Sequence, residues 1–288
     1  MDVIKKLWSA ATAKFDQKAS ESGMVDKNIT HIWDIFREQQ LHIIEAIFNL
    51  YKFLLVFWNG SDIRDAQLLS AIHSAGVTDF ALSVLNSKYC FPLLNVLEGA
   101  QYKMVKSCLG IIHNMVHNFE SLVPYIRQQN GLKICSKFIS LDSEKLVVIK
   151  GKAAMVSAHI ITEGEDTSGI ALGEKEIKFI MGAIQRALVS KDFYSTTYGY
   201  HADELFAGLN RLAVHESNKQ KIVDAGALPF YVDALKTKDS KLQACAAQGL
   251  WTLAFNKYSK EKILIEPGCM DRKLSSLYLQ YYKPCVQV

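Results

Sequence analysis

Ile72-His-Ser-Ala-Gly-Val-Thr-Asp-Phe-Ala-Leu-Ser-Val-Leu85 and Ile222-Val-Asp-Ala-Gly-Ala-Leu-Pro-Phe-Tyr-Val-Asp-Ala-Leu235 align without a gap at an offset of 150 residues. Isoleucine, Ala-Gly, phenylalanine and leucine coincide, and Leu82 and Val84 meet Val232 and Ala234. Each copy reads as a short helix, a turn at Gly76 or Gly226, and then an amphipathic helix. Glycine suits such a corner because it accepts positive φ where a helix ends.

The same corner recurs at Gly131, Gly173 and Gly268, so the steps between corners are 55, 42, 53 and 42 residues. The longer steps place their extra residues around Lys88 to Tyr102 and Phe193 to His201, each time in one loop, which a stacked array tolerates. A further helix repeats as well. Gly208-Leu-Asn-Arg-Leu-Ala-Val-His215 matches Gly249-Leu-Trp-Thr-Leu-Ala-Phe-Asn256 at an offset of 41, and Ile111 to Asn118 takes the same register. Lys150 to Ile161 reads as a helix rich in small residues. No sustained alternation of period two occurs, so the chain reads as all-α.

These residues resemble the armadillo-repeat family. The fullest unit runs from Asn218 to Asn256: a short helix to Ala225-Gly226, a second helix to Leu235, a Lys-Thr-Lys-Asp-Ser loop, and a third helix from Lys241. The resemblance covers about residues 65 to 272 and implies a right-handed α-solenoid, an armadillo-type superhelix of three-helix repeats whose third helices line a concave groove for extended polypeptides. A HEAT-type helical array is the alternative; the segments Ala66 to Ser74 and Glu216 to Val223 favour the extra short helix. Residues 1–64 fit the repeat poorly and are expected to form a divergent helical cap, with residues 65–288 as the array. After Gly268 a second helix is expected over Met270 to Tyr282 with no third, so either it caps the array or the chain is a fragment of a longer protein.

Composition narrows the function classes. Among 288 residues, 49% are apolar and 22% charged, with a formal net charge of +4. No block of five or six like charges appears, so nothing resembles a nucleic-acid arm. Six cysteines form no Cys-x-x-Cys pair, as expected of buried thiols in a reducing compartment. Asp2, Lys5 and Lys6 interrupt the start where a signal peptide would be apolar. Ile43 to Trp58 is very apolar but short of the roughly 20 residues a spanning helix needs, and Glu45, Asn49 and Lys52 interrupt it. Its run Phe53 to Trp58 reads as part of an N-terminal helix packed on the first repeat, ahead of the alternative of a membrane-interface or partner-docking patch, because Lys52 and Glu45 do not build a basic polar face. The expected location is the cytosol, with the nucleus open to it, and without stable membrane insertion.

Candidate working residues follow from the register of the third helix. Leu242, Ala246, Gly249 and Leu253 share one face; Trp251 lies opposite, with Phe255 one turn on and Gln248 nearby. His113 and Asn210 occupy the Trp251 position in other units, and His117 and Val214 the Phe255 position. Two readings stay open: a ladder of His113, Asn210 and Trp251 lines the groove and bonds a peptide backbone leaving water, or Trp251 packs between neighbouring units, since a third helix touches repeats on both sides. In the nuclear-import receptors of the family, a tryptophan is followed four residues later by asparagine. Here that asparagine is absent from all three units, so binding of a nuclear-localisation peptide is not expected.

His113 and His117 have the i, i+4 spacing of two metal ligands, but no glutamate base and no evident third ligand accompany them, so no metal is expected. Gly164 to Gly169 and Gly173-Glu-Lys175 lack the ending and the preceding strand of a phosphate cradle. No cofactor is expected, and no catalytic constellation emerges from the spacing. The expectation is a non-enzymatic scaffold or adaptor gripping an extended segment of another protein. The alternative is a regulatory sensor arm of a larger protein, responding to a small ligand. Nothing in the sequence bears on oligomeric state.

Overall fold

A computed structural model describes residues 66–87, 100–161, 172–195 and 198–269. The expected N-terminal cap, the run Phe53 to Trp58, the loop Gly164 to Gly169 and the helix Met270 to Tyr282 lie outside them. Contacts divide the chain into two compact units, Met1–Tyr125 and Ile126–Val288.

In the first unit, α1 (Ala66–Ser74), α2 (Val77–Asn86) and α3 (Ala100–Asn118) pack on one another. On α3, Val105, Cys108, Leu109, Ile112, Met115 and Val116 recur at helical spacing and are buried. Tyr125, in α4 (Val123–Gln128), donates its hydroxyl to the Asp79 carboxylate, and its ring meets His73 edge-on at 4.8 Å. That hydrogen bond to a carboxylate raises the Tyr125 phenol above its ordinary range.

The second unit continues with α5 (Gly131–Ile139), α6 (Val147–Ile160), α7 (Glu174–Leu188), α8 (Ala202–Leu212), α9 (Glu216–Asp224), α10 (Ala227–Lys236), α11 (Ser240–Ala254) and α12 (Lys257–Ile265). Each third helix packs on its own second helix: α6 on α5, α8 on α7, α11 on α10. The third helices also pack in series, α6 on α8 and α8 on α11, while second helix α10 meets α7. That is the contact pattern of stacked repeats, in which each unit covers the apolar face of its neighbour. α7 shows how the sequence dictates it. Ile177, Ile180, Met181, Ile184 and Ala187 form one buried stripe, and burying such an aliphatic side chain contributes about 1.5–3 kcal/mol. α6 has no polar face, and every residue from Gly151 to Ile160 is buried.

Three corners turn where expected: Gly76, Gly226 and Gly268 have φ of 77°, 83° and 91°. Two do not. Asn130, at φ 60°, takes the left-handed position ahead of α5. Gly131 is instead the first helical residue, and a Cβ there would stand 2.5 Å from Ile126 Cγ2. Gly173 is extended (φ −77°, ψ 166°) ahead of α7. The short first helices are present as α1, α4, α9 and α12, which separates the fold from the HEAT alternative.

The insertion between α7 and α8 holds an antiparallel hairpin absent from the all-helical reading, β1 (Tyr194–Ser195) and β2 (Tyr200–His201). Buried Lys152 of α6 clasps it. Its ammonium donates to Tyr200 Oη at 2.9 Å, lies 4.0 Å from the centre of that ring, and is 3.5 Å from the Tyr198 carbonyl oxygen.

Candidate functional site

Asp239 starts α11 by accepting hydrogen bonds from the Lys241 and Leu242 N–H groups, both at 2.9 Å. Leu242, Ala246, Gly249, Leu250 and Leu253 then face inward. The opposite stripe carries Lys241, Gln248, Trp251 and Phe255, all exposed. Trp251 and Phe255 are 41% and 68% exposed and meet edge to face, with ring centres 5.3 Å apart and planes at 89°. Val214, which holds the Phe255 position one unit earlier, is 64% exposed. Packed third helices thus present a solvent-facing apolar corner at matching register.

The expected ladder is corrected at two of its three rungs. Asn210 is 3% exposed. Its amide nitrogen donates to the Cys245 carbonyl at 2.7 Å, and its amide oxygen accepts the Tyr231 hydroxyl at 2.8 Å. Both ends of the amide are used inside the core, where a buried tyrosine needs a partner for its hydroxyl. Asn210 therefore joins α8, α10 and α11 and does not line a solvent-exposed surface. His113 is 0% exposed, and its ring stacks on that of half-buried His117 with centres 5.9 Å apart. Its Nδ1 is 3.4 Å from Asn114 Oδ1. Sequence register aligned these three positions, but side-chain length and neighbours sent two of them inward.

Two residues that the sequence reading did not single out stand at the ends of the third helices. Arg211 Nη1 donates to the His159 carbonyl at 3.0 Å, and Arg127 Nη1 to the Ile160 carbonyl at 2.6 Å. Arg211 lies in the last turn of α8 but bonds a carbonyl of α6, a contact between helices that spacing along one helix does not reveal.

Among the described residues, no group of three His, Cys, Asp or Glu side chains is placed to hold a metal ion. Burial pushes the Cys135 thiol up to about 12. Burial, with help from Asp203 and Asp239, pushes Cys245 up to about 11. Burial likewise raises the Tyr200 and Tyr231 phenols. Each shift favours the neutral form, opposite to the activation a thiolate nucleophile requires. No helix among the described residues is long and apolar enough to cross a membrane.

No family model and no curated protein matches this chain. Among solved structures, an engineered protein of the Northeast Structural Genomics Consortium is similar at 15% identity and a TM-score of 0.38, covering 89% of this chain and 96% of its own. A designed armadillo repeat protein is similar at 12% identity and a TM-score of 0.33, covering 80% of this chain and 98% of its own. A second designed armadillo repeat protein, in complex with the peptide (KR)4, is similar at 14% identity and a TM-score of 0.31, with coverages of 77% and 99%. The repeat type is carried by the chain's own helices: short first helix, left-handed corner, second helix, and third helices packed in series. The chain has an armadillo-like repeat fold, an all-α solenoid of three-helix units.

Proposed function

We propose that this chain is a scaffold that binds segments of other proteins on the solvent-facing stripe of its third helices. Trp251 and Phe255 are the anchor, with Val214 and Gln248 beside them. The observation that carries this reading is the edge-to-face pair of exposed aromatic rings on α11. Two large aromatic side chains one turn apart keep 41% and 68% of their surface exposed. Covered by a partner, such side chains become the residues on which binding energy concentrates. Gln248, exposed and three residues before Trp251, offers an amide donor and acceptor to a backbone leaving water.

The test begins with peptides selected on the wild-type chain from a random displayed library. Their affinities are then measured for a Trp251→Ala/Phe255→Ala variant whose fold is checked by circular dichroism. Loss of two aromatic anchors, each worth about 2 kcal/mol, predicts at least about a 100-fold weaker Kd. Unchanged affinity in the folded variant would falsify the assignment of this face.

A further inference from the structure

We propose a second binding site on this chain, separate from the third-helix face: a cleft between α12 and the α9–α10 corner that takes an arginine and a nearby apolar side chain of another polypeptide.

One helix face and one corner build the cleft. Tyr258, Lys262 and Ile265 of α12, with Glu266 just past it, fall at i, i+4, i+7 and i+8 and so share one face. Opposite them stand Val223 and Asp224 at the end of α9, Gly226 at the turn, and Leu228 and Pro229 in the first turn of α10. The space between is ≈ 420 Å³, inside the range of about 300–1,000 Å³ usual for ligand sites. Gly226 turns with φ 83°, and a Cβ there would meet nothing within 4 Å, so the space beside the corner is open. Tyr258 ties the two walls together. Its hydroxyl donates to Asp224 Oδ1 at 2.6 Å, and the Lys262 ammonium lies 5.5 Å from the centre of its ring. Asp224 therefore marks one end of the cleft, and Glu266, about 12 Å further along α12, marks the other.

Charge and apolar surface select the occupant. Val223 and Leu228 offer apolar surface from the corner, and Ile265, 75% exposed, offers it from α12. Two carboxylates, Asp224 and Glu266, share the lining with one ammonium, Lys262. The C-terminal end of α9 and the N-terminal end of α10 meet at the corner with opposite partial charges. The C-terminal end of α12 adds about half a negative charge beside Glu266. Lys257 and Lys260 lie about 100° and 160° round the helix from Tyr258, and Lys236 reaches the Gly268 corner without entering the lining. The cleft is thus negative in a chain whose formal net charge is +4. Asp224 already accepts from Tyr258, whereas among the described residues no hydrogen bond or ion pair takes the half-buried Glu266 carboxylate. Arginine meets both demands. Its methylenes lie along apolar surface while its planar fork donates two parallel bonds to a carboxylate.

Length sets the pattern of the partner. In an extended segment, side chains two residues apart point the same way and stand about 6.6 Å apart. An arginine at Glu266 then places the apolar side chain two residues away over Val223, Leu228 and Pro229, within the same 12 Å or so of cleft.

A random twelve-residue displayed library is selected on the Trp251→Ala/Phe255→Ala variant. Peptides that need the third-helix face are then not retained, and failure of that reading leaves this test intact. Synthetic copies of the retained peptides are measured on the same protein carrying Glu266→Gln or Ile265→Lys, with circular dichroism checking each fold. The expected result is enrichment of arginine two residues from an apolar side chain. Binding should weaken about tenfold or more on Glu266→Gln and be lost on Ile265→Lys. Changing the peptide arginine to glutamine should cost nothing further on the Glu266→Gln protein. N-acetylarginine amide, which leaves the apolar surface bare, should bind about tenfold or more weakly than the peptides. Equal affinity for that small molecule overturns the polypeptide occupant. Retained peptides without arginine, peptides bound equally by either variant, or no retained peptide at all overturn the site.

Discussion

Replacing Gly249 with alanine tests how α11 is held, because two effects of opposite sign compete there. By helix propensity alone, glycine to alanine in a helix interior stabilises by about 1 kcal/mol. In this fold the new Cβ would lie 2.2 Å from Tyr231 Cε1 and 2.3 Å from Asn210 Oδ1. Tyr231 is fully buried, with its ring 5.0 Å from that of Phe206 and its hydroxyl on Asn210. The ring cannot move without straining that contact and stretching both amide hydrogen bonds. Overpacking costs about 1–3 kcal/mol, and two weakened buried hydrogen bonds about 1 kcal/mol each. Less the propensity gain, the net loss is about 2–4 kcal/mol. Gly110 supplies the control, since a Cβ there meets nothing within 4 Å. Gly110→Ala should stabilise by about 0.5–1 kcal/mol. Urea unfolding followed by circular dichroism measures both. A neutral or stabilising Gly249→Ala would refute the assignment of Asn210 and Tyr231 to a packed junction and return Asn210 to the candidate binding residues.

Asp239→Ala removes the acceptor for two α11 N–H groups and should lower stability by about 1 kcal/mol in the same unfolding assay. Asn130 holds φ 60°; Asn130→Gly should be neutral or slightly stabilising, while Asn130→Val should cost about 1–2 kcal/mol, read as a shift in the urea midpoint. Alkaline pH should unfold the chain. Burial raises Cys135 from 9.0 to about 12 and raises Tyr200 and Tyr231 as well. The folded state therefore holds protons that the unfolded chain releases. The stability they contribute is fully present below pH about 9 and falls as pH rises, by up to about 1.4 kcal/mol per pH unit for each such group. Cys135→Ala should flatten the low end of that decline; an unchanged profile between pH 8 and 11 counts against burial of these groups.

The same chemistry explains what was legible in the sequence. A corner is legible when one residue type answers one backbone requirement, and positive φ selects the glycines at 76, 226 and 268. It misleads when a glycine serves another purpose. Gly131 makes room for Ile126, while its neighbour Asn130 bears the left-handed turn. The hairpin was illegible because strands of two residues leave no alternation to detect. The ladder failed for a third reason. Register fixes which residues are equivalent along successive third helices, but it does not fix where their side chains go. Asn210 and Trp251 share a register position. Asparagine is short enough to turn sideways into the gap that Gly249 leaves and meet Tyr231, whereas an indole cannot enter it. The clue lay in pairing two observations: a tyrosine within the apolar second helix α10 needs a buried hydroxyl partner, and a glycine mid-way along α11 implies that something approaches it closely. Asn210 is the polar residue that answers both needs. Trp251 stays 41% exposed beside Phe255.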